Sequence, residues 1–152
     1  MTSCCEGVCR QLHILSYRTD VRGEGAAVNP VEAARYLRMA AEQDFASAQY
    51  NLGLLYLRGQ GVDENHSEAA MWMHRAADGG DALSLSRLGT MYEYGRGVEQ
   101  DAVTAYMWYS LGAVQGQSFA KERRNILAKN LSALEVKRAE ALVSDWIRRK
   151  AR

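Results

Sequence analysis

The feature that most constrains this chain is an internal repeat. The segment LGLLYLRGQGV begins at Leu52, and LGTMYEYGRGV begins 36 residues later, at Leu88. The same period relates glycines, alanines and aromatic residues around both segments: Gly59 and Gly95, Gly61 and Gly97, Ala33, Ala69 and Ala105, Tyr36, Trp72 and Trp108, and Ala41, Ala77 and Ala113. Self-similarity at a fixed period of this length indicates a repeat array, in which each unit packs mainly against its neighbours.

Helix boundaries follow the same period. Asn29, Asn65 and Asp101 are residue types whose side chains accept hydrogen bonds from free amides in the first turn of a helix. Residues that favour a helix end recur at Gly80 and Gly116, with Asp44 in the first copy. The pattern predicts an all-helical chain. The expected helices span 30–43, 45–58, 66–78, 81–94, 101–114, 117–129 and 132–149.

Composition and charge restrict the class of protein. The chain has 152 residues, enough for one domain with a hydrophobic core. With 19 basic and 18 acidic residues the net charge is +1, so neither a nucleic acid nor an acidic membrane surface is the expected partner. No apolar stretch approaches the roughly 20 residues of a membrane-spanning helix, and the first residues lack the pattern of a secretory signal. These features favour a cytoplasmic location without membrane insertion.

The repeated segments resemble the Sel-1-like repeat. Two stretches, Ala48–Gly80 and Ser84–Gly116, follow its pattern A-x-x-x-LG-x-x-Y-x-x-G-x-GV-x-x-D-x-x-x-A-x-x-W-x-x-x-AA-x-x-G, and Gly23–Asp44 matches its second half. In the second stretch Ser84 replaces the first alanine and Gly112 the first of the paired alanines. The resemblance implies an α/α superhelical solenoid related to tetratricopeptide repeats. It also implies an adaptor or scaffold that binds another protein.

The repeat divides the chain into three segments. Residues 1–22 are interpreted as a degraded first repeat helix, 23–116 as the repeats, and 117–152 as a divergent repeat with a capping helix. Ser132 and Glu135 have the spacing of a capping box that opens this last helix. If the N-terminal segment packs poorly, one apolar face of helix 30–43 stays open. A second copy of the chain can then cover it, so a homodimer is an open alternative.

The resemblance also selects a candidate binding surface. In tetratricopeptide solenoids the first helix of each pair lines the concave face, where a short helix or an extended peptide binds. Transferred to this chain, that rule selects positions that lie off the 36-residue pattern. They are Tyr50, Leu54, Leu57, Arg58, Ser86, Thr90, Glu93 and Tyr94. The alternative is that these side chains contact the neighbouring unit or face solvent.

Two other motifs suggest chemistry. Cys5, Cys9 and His13 are spaced so that one helix face presents all three with Cys4 beside them, a ligand set suited to zinc. Ser118 and Lys121 match the S-x-x-K string of penicillin-recognising serine enzymes, but the companion motifs of those enzymes are missing. The cysteine-containing stretch has weak helix-boundary signals, and chain termini are often disordered. For these reasons we expect no catalytic residue, metal site or cofactor.

The expected function is a protein–protein adaptor with a peptide or protein partner. Two alternatives stay open. One is a structural fragment of a larger repeat assembly that associates through an open repeat face, and the other is a β-lactam-binding or β-lactam-hydrolysing enzyme.

Overall fold

The computed structural model describes residues 29–152, which form seven α-helices and no strand. The helices are α1 (Pro30–Glu42), α2 (Ala46–Arg58), α3 (His66–Asp78), α4 (Ala82–Tyr94), α5 (Ala102–Val114), α6 (Ser118–Ala128) and α7 (Ala133–Lys150). The predicted all-α fold is confirmed, and every predicted helix boundary lies within one residue of the observed one. The candidate zinc ligands Cys4, Cys5, Cys9 and His13 lie outside the described residues, as do segment 1–22 and residues 23–28.

The predicted helix caps are present. Asn29 Oδ1 accepts a hydrogen bond from the Val31 amide at 3.1 Å, and Asn65 Oδ1 accepts one from the Glu68 amide at 3.1 Å. Asp101 caps α5 in the same way. At the start of α7, Ser132 and Glu135 form the complete capping box, and these hydrogen bonds hold the pKa of Glu135 below its usual range. The caps satisfy amides that would otherwise lack partners in the first helical turn.

The glycine-containing loops between paired helices pack against the preceding repeat. Gly61 lies against the backbone of Pro30 at the start of α1, and Gly97 lies against the backbone of His66 at the start of α3. Both have positive φ angles, 71° and 72°, and a Cβ atom at either position would overlap the neighbouring carbonyl group. Only glycine meets both requirements, which explains why the repeat retains it.

Alternate helices form two layers. The first layer contains α2, α4 and α6, the first helices of three successive pairs, and the second contains α1, α3, α5 and α7. In the second layer, His74 of α3 contacts Trp108 of α5, and Trp108 contacts Trp146 of α7, in edge-to-face geometry with ring centroids 5.4 Å and 6.3 Å apart. The end of α7 reaches α3, where Lys150 Nζ lies 3.3 Å from Asp78 Oδ1. The predicted capping helix therefore extends across the second layer.

The core alternates large and small side chains at repeat positions. Leu52 and Leu88 are fully buried, and the indoles of Trp72 and Trp108 are each 5% exposed. Small residues let the paired helices approach closely. A Cβ atom on Gly53 would lie 2.8 Å from Met73 Cε, and one on Gly89 would lie 2.6 Å from the Tyr109 ring. Tyr36, at the position equivalent to these tryptophans, and Tyr92 are only partly buried.

Candidate functional site

A cleft of about 200 Å³ opens between α2 and α4, the first helices of two successive pairs. We call it the α2–α4 cleft. Its lining residues are Leu54, Leu57, Arg58, His66, Arg87, Thr90, Met91 and Arg96. Four of the eight predicted binding residues are therefore together in one cavity: Leu54, Leu57, Arg58 and Thr90.

The helical period explains which side chains of α2 reach the cleft. Leu52 and Tyr56 are buried in the core, while Leu54 and Leu57, three residues apart, share the adjacent face and are half-buried. Across the cleft, Met91 of α4 is 1% exposed and contributes to its base. Among the described residues, no side-chain hydrogen bond or ion pair joins α2 to α4. The apolar walls therefore face each other without a polar bridge.

The rim of the cleft is basic. Arg58, Arg87 and Arg96 are exposed, and within residues 29–152 no carboxylate lines the cleft. The Arg96 guanidinium lies 5.9 Å from the centre of the Tyr94 ring, and within the described part of the chain none of the three arginines forms an ion pair. His66 Nε2 lies 2.9 Å from Glu64 Oε1.

The next junction, between α4 and α6, has a different structure. Glu93 of α4 forms an ion pair with Arg123 of α6, and Arg123 also donates a hydrogen bond to the Tyr94 hydroxyl at 3.1 Å. The Tyr109 hydroxyl of α5 donates to Glu93 Oε2 at 2.7 Å and lies 3.1 Å from the Thr90 hydroxyl. We call these five side chains the α4–α6 network.

Two members of the network have pKa values shifted from their ordinary range, for different reasons. Burial is the main cause that raises the pKa of Tyr109 to about 12, and the hydrogen bond to Glu93 adds to it. The hydrogen bond from Arg123 to Glu93 raises the pKa of that guanidinium further. Arg123 therefore remains charged while Tyr109 remains neutral, and the network bridges α4 and α6 with partly buried charge-assisted bonds.

The other predicted binding residues lie outside the cleft. Ser86 donates a hydrogen bond to Gln117, just before α6, while Glu93 and Tyr94 belong to the α4–α6 network. Tyr50 is half-buried and packs against the core. For Ser86 and Glu93 the structure therefore shows the contact with a neighbouring unit that was the alternative interpretation.

Sequence reasoning missed four residues of the cleft: His66, Arg87, Met91 and Arg96. Arg87 lies one helical turn before Thr90 on α4, so both side chains lie on the same face of this helix. The reasoning that selected Thr90 therefore also indicates Arg87. Arg96 follows α4 in the loop, and His66 begins α3. Their positions depend on how the loop packs against the preceding repeat, for which the sequence contains no comparable signal.

A protein-family model for the Sel1 repeat matches residues 21–45, 46–81 and 82–117. Together these matches cover more than half of the chain. The chain belongs to the Sel1 repeat family. The second and third matched units correspond to the pairs α2–α3 and α4–α5, so the α2–α4 cleft lies between two complete Sel1 repeats.

Solved structures show the same fold. A protective antigen with an SLR fold, present in uropathogenic Escherichia coli strains, is 32% identical and has a TM-score of 0.83, covering 93% of this chain and 30% of that chain. A Sel1 repeat protein from Oxalobacter formigenes is 36% identical with a TM-score of 0.67, covering 77% of this chain and 47% of that one. Cysteine-rich protein B of Helicobacter pylori has the same fold at 22% identity and a TM-score of 0.61, covering 65% of this chain and 74% of that chain.

The chain thus spans less than half the length of the first two structures. Among curated proteins none matches the sequence. Sel1 repeats commonly occur in protein-interaction scaffolds.

The S-x-x-K string is the remaining motif within the described part of this Sel1 repeat protein. Ser118, the first residue of α6, and Lys121 are both exposed, and no hydrogen bond joins them. Within residues 29–152, no three His, Cys, Asp or Glu side chains cluster in a way that would hold a metal ion. None of the helices in this range is long and apolar enough to cross a membrane.

Proposed function

We propose that this Sel1 repeat protein is an interaction module that binds a short helix or extended peptide of a partner protein in the α2–α4 cleft. The observation that supports this most directly is the pair Leu54 and Leu57, which line an open cavity between two repeats that no polar bridge closes. Apolar side chains in a concave site provide binding free energy because a partner's apolar side chains remove them from water.

The dimensions of the cleft favour a small contact. A volume of about 200 Å³ accommodates one or two side chains of a partner, with the rest of the peptide lying along α2 and α4. An interface of this size with few anchoring residues typically has a dissociation constant in the micromolar range.

The test is a selection from a random 12-residue peptide display library against the full chain. The variant with Leu54→Gln and Leu57→Gln alters the walls of the cleft. The matched control is Leu83→Gln, because Leu83 is an exposed leucine of α4 outside the cleft. We expect the selected peptides to bind the cleft variant at least tenfold more weakly and the control variant equally well. Failure to select peptides, or equal binding to all three proteins, would contradict the proposal.

Self-association is a second candidate function, supported by the exposed apolar side chains of α1. Val31 is 61% exposed and Met39 is 43% exposed. Exposed apolar side chains on one helix can be covered by a second copy of the chain. The measurement is sedimentation of the full chain across a concentration series. A dimer that dissociates in the Met39→Lys variant would support self-association, and a monomer at all concentrations would exclude it.

A further inference from the structure

We infer that the partner segment is acidic: a peptide that places carboxylates on Arg58, Arg87 and Arg96 around an apolar side chain in the α2–α4 cleft. This inference rests on the proposed function, since it describes the ligand of the same cleft. It goes beyond that function because it specifies the chemistry of the partner.

Positive charges from different parts of the chain converge on the cleft. Three arginines from three elements, the end of α2, the middle of α4 and the loop after α4, line a cavity of about 200 Å³. Among the described residues, no carboxylate lines this cavity and the three guanidinium groups have no anionic partner. Such a concentration of one charge raises the local potential and attracts the opposite charge, although the net charge of the chain is only +1.

Repeat packing does not require these arginines. Each position has an equivalent 36 residues away in the other complete repeat, and that equivalent is uncharged. The pairs are Arg58 and Tyr94, Arg87 and Asn51, and Arg96 and Gln60. Since the second residue of each pair supports the same backbone without a charge, the three arginines are not explained by the fold.

The apolar part of the cleft favours a peptide as the anionic partner. Leu54, Leu57 and Met91 form an apolar surface between the arginines. A nucleic acid carries a phosphate at every nucleotide and offers planar bases rather than flexible aliphatic side chains, whereas a peptide combines carboxylates with such side chains. Arginine also binds carboxylates with two parallel hydrogen bonds, which orients the ligand as well as attracting it.

The experiment uses the peptides selected on the full chain and asks about their charge. We expect them to be enriched in Asp and Glu around one large apolar residue. The triple variant R58Q, R87Q and R96Q should bind them about tenfold more weakly, because exposed ion pairs contribute modestly and add together. Raising the salt concentration from 50 mM to 500 mM should weaken wild-type binding and have little further effect on the triple variant.

The matched control removes three positive charges elsewhere. Arg138, Arg148 and Arg149 are exposed residues of α7, and the triple change to Gln alters the net charge by the same amount. Binding of the acidic peptides should be unchanged in this control. A second control replaces the Asp and Glu residues of the best peptide by Asn and Gln, which should reduce affinity for the wild type to that for the arginine variant.

The outcomes separate the two proposals. Selected peptides that are neutral or basic, and that depend on Leu54 and Leu57 but not on the arginines, would overturn the acidic partner and leave the proposed function standing. Peptides that depend on neither set would overturn both. An arginine-dependent affinity for a fluorescent 20-nucleotide thymidine strand that exceeds the affinity for the peptides would show a nucleic-acid ligand and overturn the acidic peptide.

Discussion

Two junctions between successive repeats, α2–α4 and α4–α6, have the same helical framework and different surfaces. At equivalent positions, 36 residues apart, Leu54 corresponds to Thr90, Leu57 to Glu93, and Met73 to Tyr109. The first member of each pair is apolar, and the second is a member of the α4–α6 network. Arg123 of α6 completes the network by pairing with Glu93.

The difference shows how one repeat framework produces two kinds of junction. The positions on the 36-residue pattern are used for packing in both repeats. The positions off the pattern determine whether the junction is closed by partly buried polar bonds or left as an apolar cleft. A polar network bonds to itself and leaves no unsatisfied group for a partner, whereas an apolar cleft gains free energy when a partner covers it.

The largest expected effect tests whether the two repeats share an equivalent core. Leu52→Ala and Leu88→Ala should each lower the free energy of unfolding by about 3 kcal/mol, because both side chains are fully buried and each substitution leaves a cavity. Urea denaturation followed by circular dichroism provides the measurement. If only one of the two variants has a lower free energy of unfolding, the two repeats differ in core packing as well as in surface.

The next effect compares the helix packing within the two complete repeats, α2 against α3 and α4 against α5. Gly89→Ala should cost about 1–3 kcal/mol, because the new methyl group would meet the Tyr109 ring, which is held by its hydroxyl bonds. Gly53→Ala should change stability by less than about 1 kcal/mol. There the methyl group meets the flexible end of Met73, and alanine favours a helix over glycine. Thermal unfolding of both variants gives the comparison, and equal losses would contradict it.

A smaller effect is expected from opening the polar junction. Glu93→Gln should destabilise the protein by about 1–2 kcal/mol, because it removes the charge from the bonds with Arg123 and Tyr109. The control Glu99→Gln changes an exposed carboxylate that has no ion pair among the described residues, and its stability should be unchanged. If both variants unfold at the same urea concentration, the network does not stabilise the α4–α6 junction.

The smallest expected effect is a pH dependence of the free energy of unfolding that arises from His74, in the first complete repeat. His74 lies between Tyr92 and Trp108, and burial lowers its pKa below the ordinary value of 6.5, while Asp78 opposes this in part. The unfolded chain therefore binds a proton at higher pH than the folded protein does. Stability should fall as the pH decreases from about 7.5 through 6.5, and this loss should level off below the lowered pKa.

The equivalent of His74 in the second complete repeat is Ser110, which does not titrate in this range. The variant His74→Phe should therefore show a flatter dependence of the melting temperature on pH between 7.5 and 6. An unchanged pH dependence in this variant would assign the effect to groups other than His74.

The helices were predictable because the signals that define them are local and occur in successive copies. Asn65 and Asp101 identify helix starts, and Gly80 and Gly116 identify helix ends, through hydrogen bonds and backbone angles within a few residues. Helix α6 departs from the repeat pattern, yet it lies where the next first helix was expected. It packs against α5 and is joined to α4 by the ion pair between Arg123 and Glu93.

The candidate site was predicted only in part, because the relevant contacts join distant residues. The rule that the first helix of each pair lines the concave face selected Leu54, Leu57 and Thr90, and all three line the cleft. The same rule could not exclude Glu93 from the predicted binding surface. The partner of Glu93, Arg123, lies 30 residues away on a helix without the repeat motif. Arg96 belongs to a loop whose position depends on contact with the preceding repeat.

The sequence by itself determined the all-α repeat fold, the helix boundaries and the membership of the Sel1 repeat family. These follow from residue types at a fixed spacing, where each glycine, small residue and capping residue meets a steric or hydrogen-bonding requirement of its own repeat. Only the tertiary structure decided which junction is an open, arginine-rimmed cleft and which is closed by Glu93 and Arg123. That outcome depends on side chains from different repeats meeting across a helix interface, which spacing along the chain does not encode.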